Sequence, residues 1–109
     1  SPYMTKAVEP FWKELEQFDV KSPEKPVYAN FTASPYEGDP KETMLKQIDH
    51  PVQWTKLIQN MANDGFDTFI ETGVGNTLQK LVSQILPDAK VYRVEDMETL
   101  NAVLAELKA

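Results

Sequence analysis

Residues 68–78 read Thr68-Phe69-Ile70-Glu71-Thr72-Gly73-Val74-Gly75-Asn76-Thr77-Leu78, and this stretch decides the fold class. Thr68 to Glu71 is rich in β-branched and aromatic side chains, which predicts a short strand. The paired glycines then supply a tight turn. Beyond it, Leu78, Leu81, Val82, Ile85 and Leu86 recur at helical spacing, with Asn76 as the expected cap and Gln79 three residues on. A further strand follows at Val91 to Val94. Strand–helix–strand order implies a parallel pair joined by a right-handed crossover.

The pattern extends outward in both directions. Upstream, Trp54, Leu57, Ile58, Met61 and Ala62 mark a helix that starts after His50-Pro51 and stops at Asp64-Gly65. Downstream, a helix runs from Asp96 and carries Met97, Leu100, Val103, Leu104 and Leu107. Nearer the start, Val27 to Thr32 reads as another strand, and Asp39-Pro40 opens a shorter helix ending near Ile48. Met4, Val8, Phe11, Leu15 and Phe18 form an amphipathic stripe behind a Ser1-Pro2 cap. Pro10 lies inside that stripe and predicts a kink or a late start. The expected architecture is α/β, with a parallel sheet of about three strands flanked by helices. So small a sheet makes a thin core, and at least one of its bare edges calls for pairing by another segment.

Composition excludes several function classes. The 109 residues are 41% hydrophobic, enough for a packed core, and carry a formal charge of −6. Acids and bases are evenly spread and Arg93 is the only arginine, so no basic stripe exists and no nucleic-acid partner is expected. The absence of cysteine excludes disulfides and thiolate chemistry. A single histidine, His50, leaves a zinc site short of its usual donors, so no metal is expected. No apolar run approaches the roughly 20 residues that span a bilayer, so no membrane partner and a cytoplasmic location are expected. The sequence opens at Ser1 without an initiator methionine, which implies processing or a piece of a longer protein.

Four features carry alternative chemistry. Gly73-Val74-Gly75-Asn76 sits where backbone N–H groups cradle an anion, or is a tight strand-to-helix turn. It lacks the third glycine of a dinucleotide fingerprint and the lysine of a P-loop. His50 is either a general base or part of a helix cap, and no serine lies in a nucleophile elbow to partner it. Glu95, Asp96 and Glu98 are either cation ligands or acids complementing a helix N-terminus. Trp12 and Trp54 lie on apolar faces, as core residues or ligand platforms. These residues alone assemble no active site.

The order of segments resembles the C-terminal part of malonyl-CoA:acyl carrier protein transacylases of fatty acid synthesis. The resemblance is carried by Ser1-Pro2-Tyr3-Met4, by Pro26-Val27-Tyr28-Ala29-Asn30, and by Leu45-Lys46-Gln47-Ile48-Asp49-His50-Pro51-Val52-Gln53-Trp54. It continues through Gly65 to Leu78 and covers nearly the whole chain. It implies that residues 1–109 are the C-terminal portion of one acyltransferase domain, within a hydrolase-like large subdomain. Such enzymes move a malonyl group from coenzyme A to the phosphopantetheine thiol of acyl carrier protein through an acyl-serine. The family's serine and acyl-binding arginine are absent from this sequence, and its histidine falls just before Ser1. Two supporting residues carry over. Gln47 matches the glutamine whose main-chain carbonyl accepts a hydrogen bond from that histidine, and Asn30 matches a position near the same site. Replacing the Gln47 side chain is therefore expected to hurt less than moving its helix.

The resemblance implies malonyl-CoA as substrate, with no permanently bound cofactor. It implies the N-terminal part of the enzyme, acyl carrier protein and a coenzyme A thioester as partners. The fragment alone is expected to be inactive. Val74 and Asn76 stand where the family's glycine turn usually has proline and lysine, which admits a polyketide-type relative. Outside this class stand two alternatives, a non-catalytic α/β module binding through its sheet edge and a small phosphate binder using Gly73 to Asn76.

Overall fold

The computed structural model describes residues 2–109, which divide into two compact units at Asn60 and Met61. Ser1, the expected first cap, lies outside the described residues.

The first unit opens with a 3₁₀ turn, Met4–Ala7, that runs into α1, Val8–Leu15. Pro10 is the third residue of α1. A helix leaves its first N–H groups without internal partners, so the missing N–H costs little there, and the late start accommodates it. Leu15 is buried, whereas Tyr3, Trp12 and Phe18 are exposed.

The expected strand at Val27 to Thr32 does not form. The chain instead doubles back, with an isolated antiparallel bridge between Tyr28 and Pro35. Ala29 N–H donates to the Ser34 carbonyl at 2.9 Å, and Ala33 N–H to the Ala29 carbonyl at 2.8 Å. Local side-chain bonding explains the departure. Ser34 N–H donates to the Thr32 hydroxyl, and that hydroxyl donates to the Ser34 carbonyl, so the backbone turns instead of extending into a ladder. Ala29 and Ala33 are fully buried, and Ala33 adopts a φ of 56°.

Helix α2 spans Lys41–Lys46, and the Asp39 carboxylate accepts the Lys41 N–H at 3.0 Å. Its last turn continues through Gln47 and Ile48, close to the expected end. Helix α3, Trp54–Asn63, buries Leu57 and Ile58 and runs across the division between the units.

In the second unit α3 ends in a Schellman motif. Phe66 N–H donates to the Met61 carbonyl, Gly65 N–H donates to the Ala62 carbonyl, and Gly65 has a φ of 102°. Strand β1, Thr68–Thr72, pairs in parallel with β2, Lys90–Val94, from Thr68 opposite Lys90 to Thr72 opposite Val94. The sheet thus has two strands among the described residues, not the three expected. Helix α4, Thr77–Ile85, connects them, and α5, Met97–Lys108, follows β2. Val82 and Val103 are buried, while Ile70, Leu78, Leu104 and Leu107 are 41–50% exposed. This is the thin core that the short sheet implies. No helix among the described residues is long and apolar enough to cross a membrane.

Candidate functional site

In the first unit the structure brings together Gln47 and Asn30, the two residues expected from the resemblance to have supporting roles. Gln47, just past α2, places its side-chain Oε1 2.8 Å from the backbone N–H of Asn30 and accepts it. Gln53, just before α3, holds the same turn from the other side. Its N–H donates to the Asn30 carbonyl at 3.4 Å, and its Nε2 donates to the Phe31 carbonyl. Asn60 on α3 donates its Nδ2 to the Ala33 carbonyl at 2.8 Å. Three carboxamides thus hold the backbone of residues 30–33.

Gln53 and Asn60 were not legible as functional residues, because their partners are backbone groups more than twenty positions away. The Gln47 side-chain bond was equally hidden. A sequence signal does exist for its carbonyl. Four residues on is Pro51, which has no N–H, so no α-helical donor exists for that oxygen. The carbonyl of Gln47 is chemically suited to receive a donor from elsewhere.

His50 lies at the same helix end. Its Nδ1 is 2.6 Å from the Lys46 carbonyl and 2.9 Å from Asp49 Oδ1, and its ring meets Phe31 edge-on at 4.8 Å. A ring nitrogen bonded to the carbonyl four residues back closes the helix end, so the capping role is the one the geometry favours. Trp54 is half-buried, and its Nε1 is a buried donor with no hydrogen-bond partner among the described residues.

In the second unit the glycine turn is already occupied by the protein's own anions. The expected cap at Asn76 makes no side-chain capping bond. Instead the Glu71 carboxylate, from β1, accepts the N–H groups of Leu78 at 3.2 Å and Gln79 at 3.0 Å. Glu95 Oε2 accepts the Gly75 N–H at 2.9 Å while pairing with the Arg93 guanidinium at 2.8 Å. Gly73 and Gly75 have φ of 117° and 92°, the left-handed conformation that glycine permits. An incoming phosphate would meet two carboxylates on the donors it needs. The stretch is a structural turn, and the phosphate-binder alternative is set aside.

The acidic cluster divides in the same way. Asp96 caps α5, its Oδ1 accepting the Thr99 N–H at 2.8 Å while the Thr99 hydroxyl accepts the Asp96 N–H. The Thr99 N–H foremost, then the Thr99 hydroxyl, holds the Asp96 carboxyl below the usual carboxylate range. With Glu95 committed to Gly75 and Arg93, these acids are helix-end and turn groups, not assembled cation ligands.

No protein-family model matches the chain. The polyketide biosynthesis malonyl CoA-acyl carrier protein transacylase PksC of Bacillus subtilis is 40% identical over 91 residues, covering 83% of this chain and 32% of the relative. The malonyl CoA-acyl carrier protein transacylase of the same organism is 32% identical over 110 residues, covering 99% of this chain and 35% of the relative. Among solved structures, the malonyl CoA-acyl carrier protein transacylase of Clostridium perfringens superposes with a TM-score of 0.88 at 30% identity, covering 94% of this chain and 33% of that one. The chain therefore spans about a third of the length of these transacylases. In sequence and in fold alike, it matches a fragment of the malonyl-CoA:acyl carrier protein transacylase domain.

Proposed function

We propose that residues 1–109 are the C-terminal portion of an acyltransferase domain that transfers malonyl from coenzyme A to acyl carrier protein. The observation that carries the reading is the joint match in sequence and fold to one enzyme, the C. perfringens transacylase, over nearly the whole chain. In this reading the N-terminal portion supplies the serine nucleophile, the histidine and the acyl-binding arginine. The serine oxygen attacks the thioester carbonyl of malonyl-CoA, and its proton passes to the histidine. Coenzyme A leaves as the thiol once it takes that proton. The phosphopantetheine thiol of the carrier gives its proton to the histidine and attacks the acyl-serine ester; the malonyl thioester forms and the serine oxygen leaves with that proton.

This chain contributes support. The Gln47 carbonyl accepts the N–H of the histidine's other ring nitrogen and so fixes its tautomer, the task an aspartate performs in a serine–histidine–aspartate triad. The enzyme holds no permanently bound cofactor and acts in the cytoplasm. The N-terminal portion also covers the open edges of the β1–β2 sheet, which would otherwise invite aggregation. A chain without the family's serine nucleophile and its partner histidine is inactive alone.

Denaturing mass spectrometry after incubation with malonyl-CoA tests this. The complete enzyme should gain one malonyl adduct on a serine outside residues 1–109, and the isolated chain should gain none. An adduct on the chain itself, or none on the complete enzyme, would refute the proposal and leave the non-catalytic module.

A second reading concerns the pathway. Identity to the polyketide transacylase exceeds identity to the other B. subtilis transacylase, which favours a carrier from polyketide synthesis. Comparing kcat/KM of the complete enzyme toward carriers of both kinds discriminates the two.

A further inference from the structure

The resemblance assigns Gln47 a role through its main chain only, but its side chain is not idle. Asn30 is exposed, yet its backbone is fixed on both sides: Gln47 Oε1 accepts its N–H at 2.8 Å, and Gln53 N–H donates to its carbonyl. The next carbonyl, that of Phe31, accepts from Gln53 Nε2. The two peptide planes that flank Asn30 are thus each tied, one through its N–H and the other through its C=O, so the direction in which Asn30 projects its side chain is set by Gln47 and Gln53.

The tie also acts in the other direction. Gln47 lies beyond the last residue of α2, where helix ends fray, and Pro51 denies its carbonyl an α-helical donor. A side chain anchored to another segment removes the freedom that this position would otherwise have.

We infer that the Gln47 side chain is a positioning group for acyl transfer, holding its own carbonyl and Asn30 in a fixed relation. The inference rests on the transacylase reading and reverses the expectation that this side chain is replaceable. Gln47 is a positioning residue, not a catalytic one.

The test uses two variants of the complete enzyme that match glutamine closely in helix propensity. Gln47→Met removes the acceptor, and Gln47→Glu retains it. Hydrogen exchange at the Asn30 amide and the rate of malonyl-serine formation are both measured. In Gln47→Met the Asn30 amide should exchange roughly tenfold faster, as loss of one hydrogen bond predicts. Its acylation kcat should fall roughly tenfold to a hundredfold, the scale of a displaced supporting group, with KM for malonyl-CoA unchanged. Gln47→Glu should restore both readouts. Full acylation in Gln47→Met despite faster exchange overturns the inference, as does equal loss in both variants. Unchanged exchange in Gln47→Met also overturns it. If the unsubstituted enzyme forms no acyl-serine, the transacylase reading fails and the positioning role falls with it. That failure is distinct, because it appears before any substitution is made.

Discussion

Glu71 offers the sharpest test of the glycine turn. Its carboxylate accepts two N–H groups at the start of α4, at 3.2 and 3.0 Å, the place a cap residue or bound anion would take. Loss of such a cap costs about 0.5–2 kcal/mol, and the charge at the helix N-terminus adds about 0.3–1 kcal/mol. Glu71 is only half-buried, so solvent screening puts the charge contribution at the lower end. Glu71→Ala should therefore cost about 1–2 kcal/mol, and Glu71→Gln, which retains an acceptor oxygen, about 0.5 kcal/mol.

Native-state hydrogen exchange in the protein reads this directly. The amides of Leu78 and Gln79 should exchange roughly 5–30-fold faster in Glu71→Ala and only a few-fold faster in Glu71→Gln. The vacated helix N-terminus in Glu71→Ala should then accept sulfate. Added sulfate should slow exchange in that variant, and chloride at matched ionic strength should not. Unchanged exchange in Glu71→Ala, or equal losses in both variants, would refute the internal-anion account. Protection by sulfate in the unsubstituted protein would restore the turn as an anion site.

Two further predictions concern other parts of the chain. Asp96 is bonded by Thr99 so that its folded pKa lies below its ordinary value of 3.8. Its stabilisation is complete above that value and disappears as pH falls through the lower folded one. The start of α5 should loosen only in that acid window, and Asp96→Asn should flatten the pH dependence of Thr99 amide exchange. Ala33 is fully buried with a φ of 56°. Ala33→Val should lower stability by about 2 kcal/mol or more, from left-handed strain and overpacking. Ala33→Gly should stay within about 1 kcal/mol, because relieved strain offsets the lost methyl. Thermal denaturation of both variants checks the order, and a tolerated valine would contradict it.

Helices α3, α4 and α5 were legible because their apolar residues recur at helical spacing and their ends carry local signals. Asp64-Gly65 gave the end of α3, and the structure realises it as a Schellman motif. The strand expected at Val27 to Thr32 failed for a reason periodicity does not register. Thr32 and Ser34 bond each other, so a stretch with strand composition becomes a turn. The cap of α4 failed differently. Asn76 is the local candidate, but the donors go to Glu71, seven and eight residues upstream and on another element. Asn30 and Gln47 emerged from the family pattern, whereas the bond between them depends on how the chain folds back across seventeen residues.

The three carboxamides on the 30–33 turn give that segment a chemical lifetime. Gln53 and Asn60 act as donors, to the carbonyls of Phe31 and Ala33, whereas Gln47 acts as an acceptor. Hydrolysis of an amide to an acid replaces a donor with an oxygen anion. At Gln53 or Asn60 that would set an anion against a carbonyl and push the turn open. At Gln47 the same reaction leaves an acceptor in place. Stored protein should thus lose the turn one amide at a time, through two of its three fastenings and not the third.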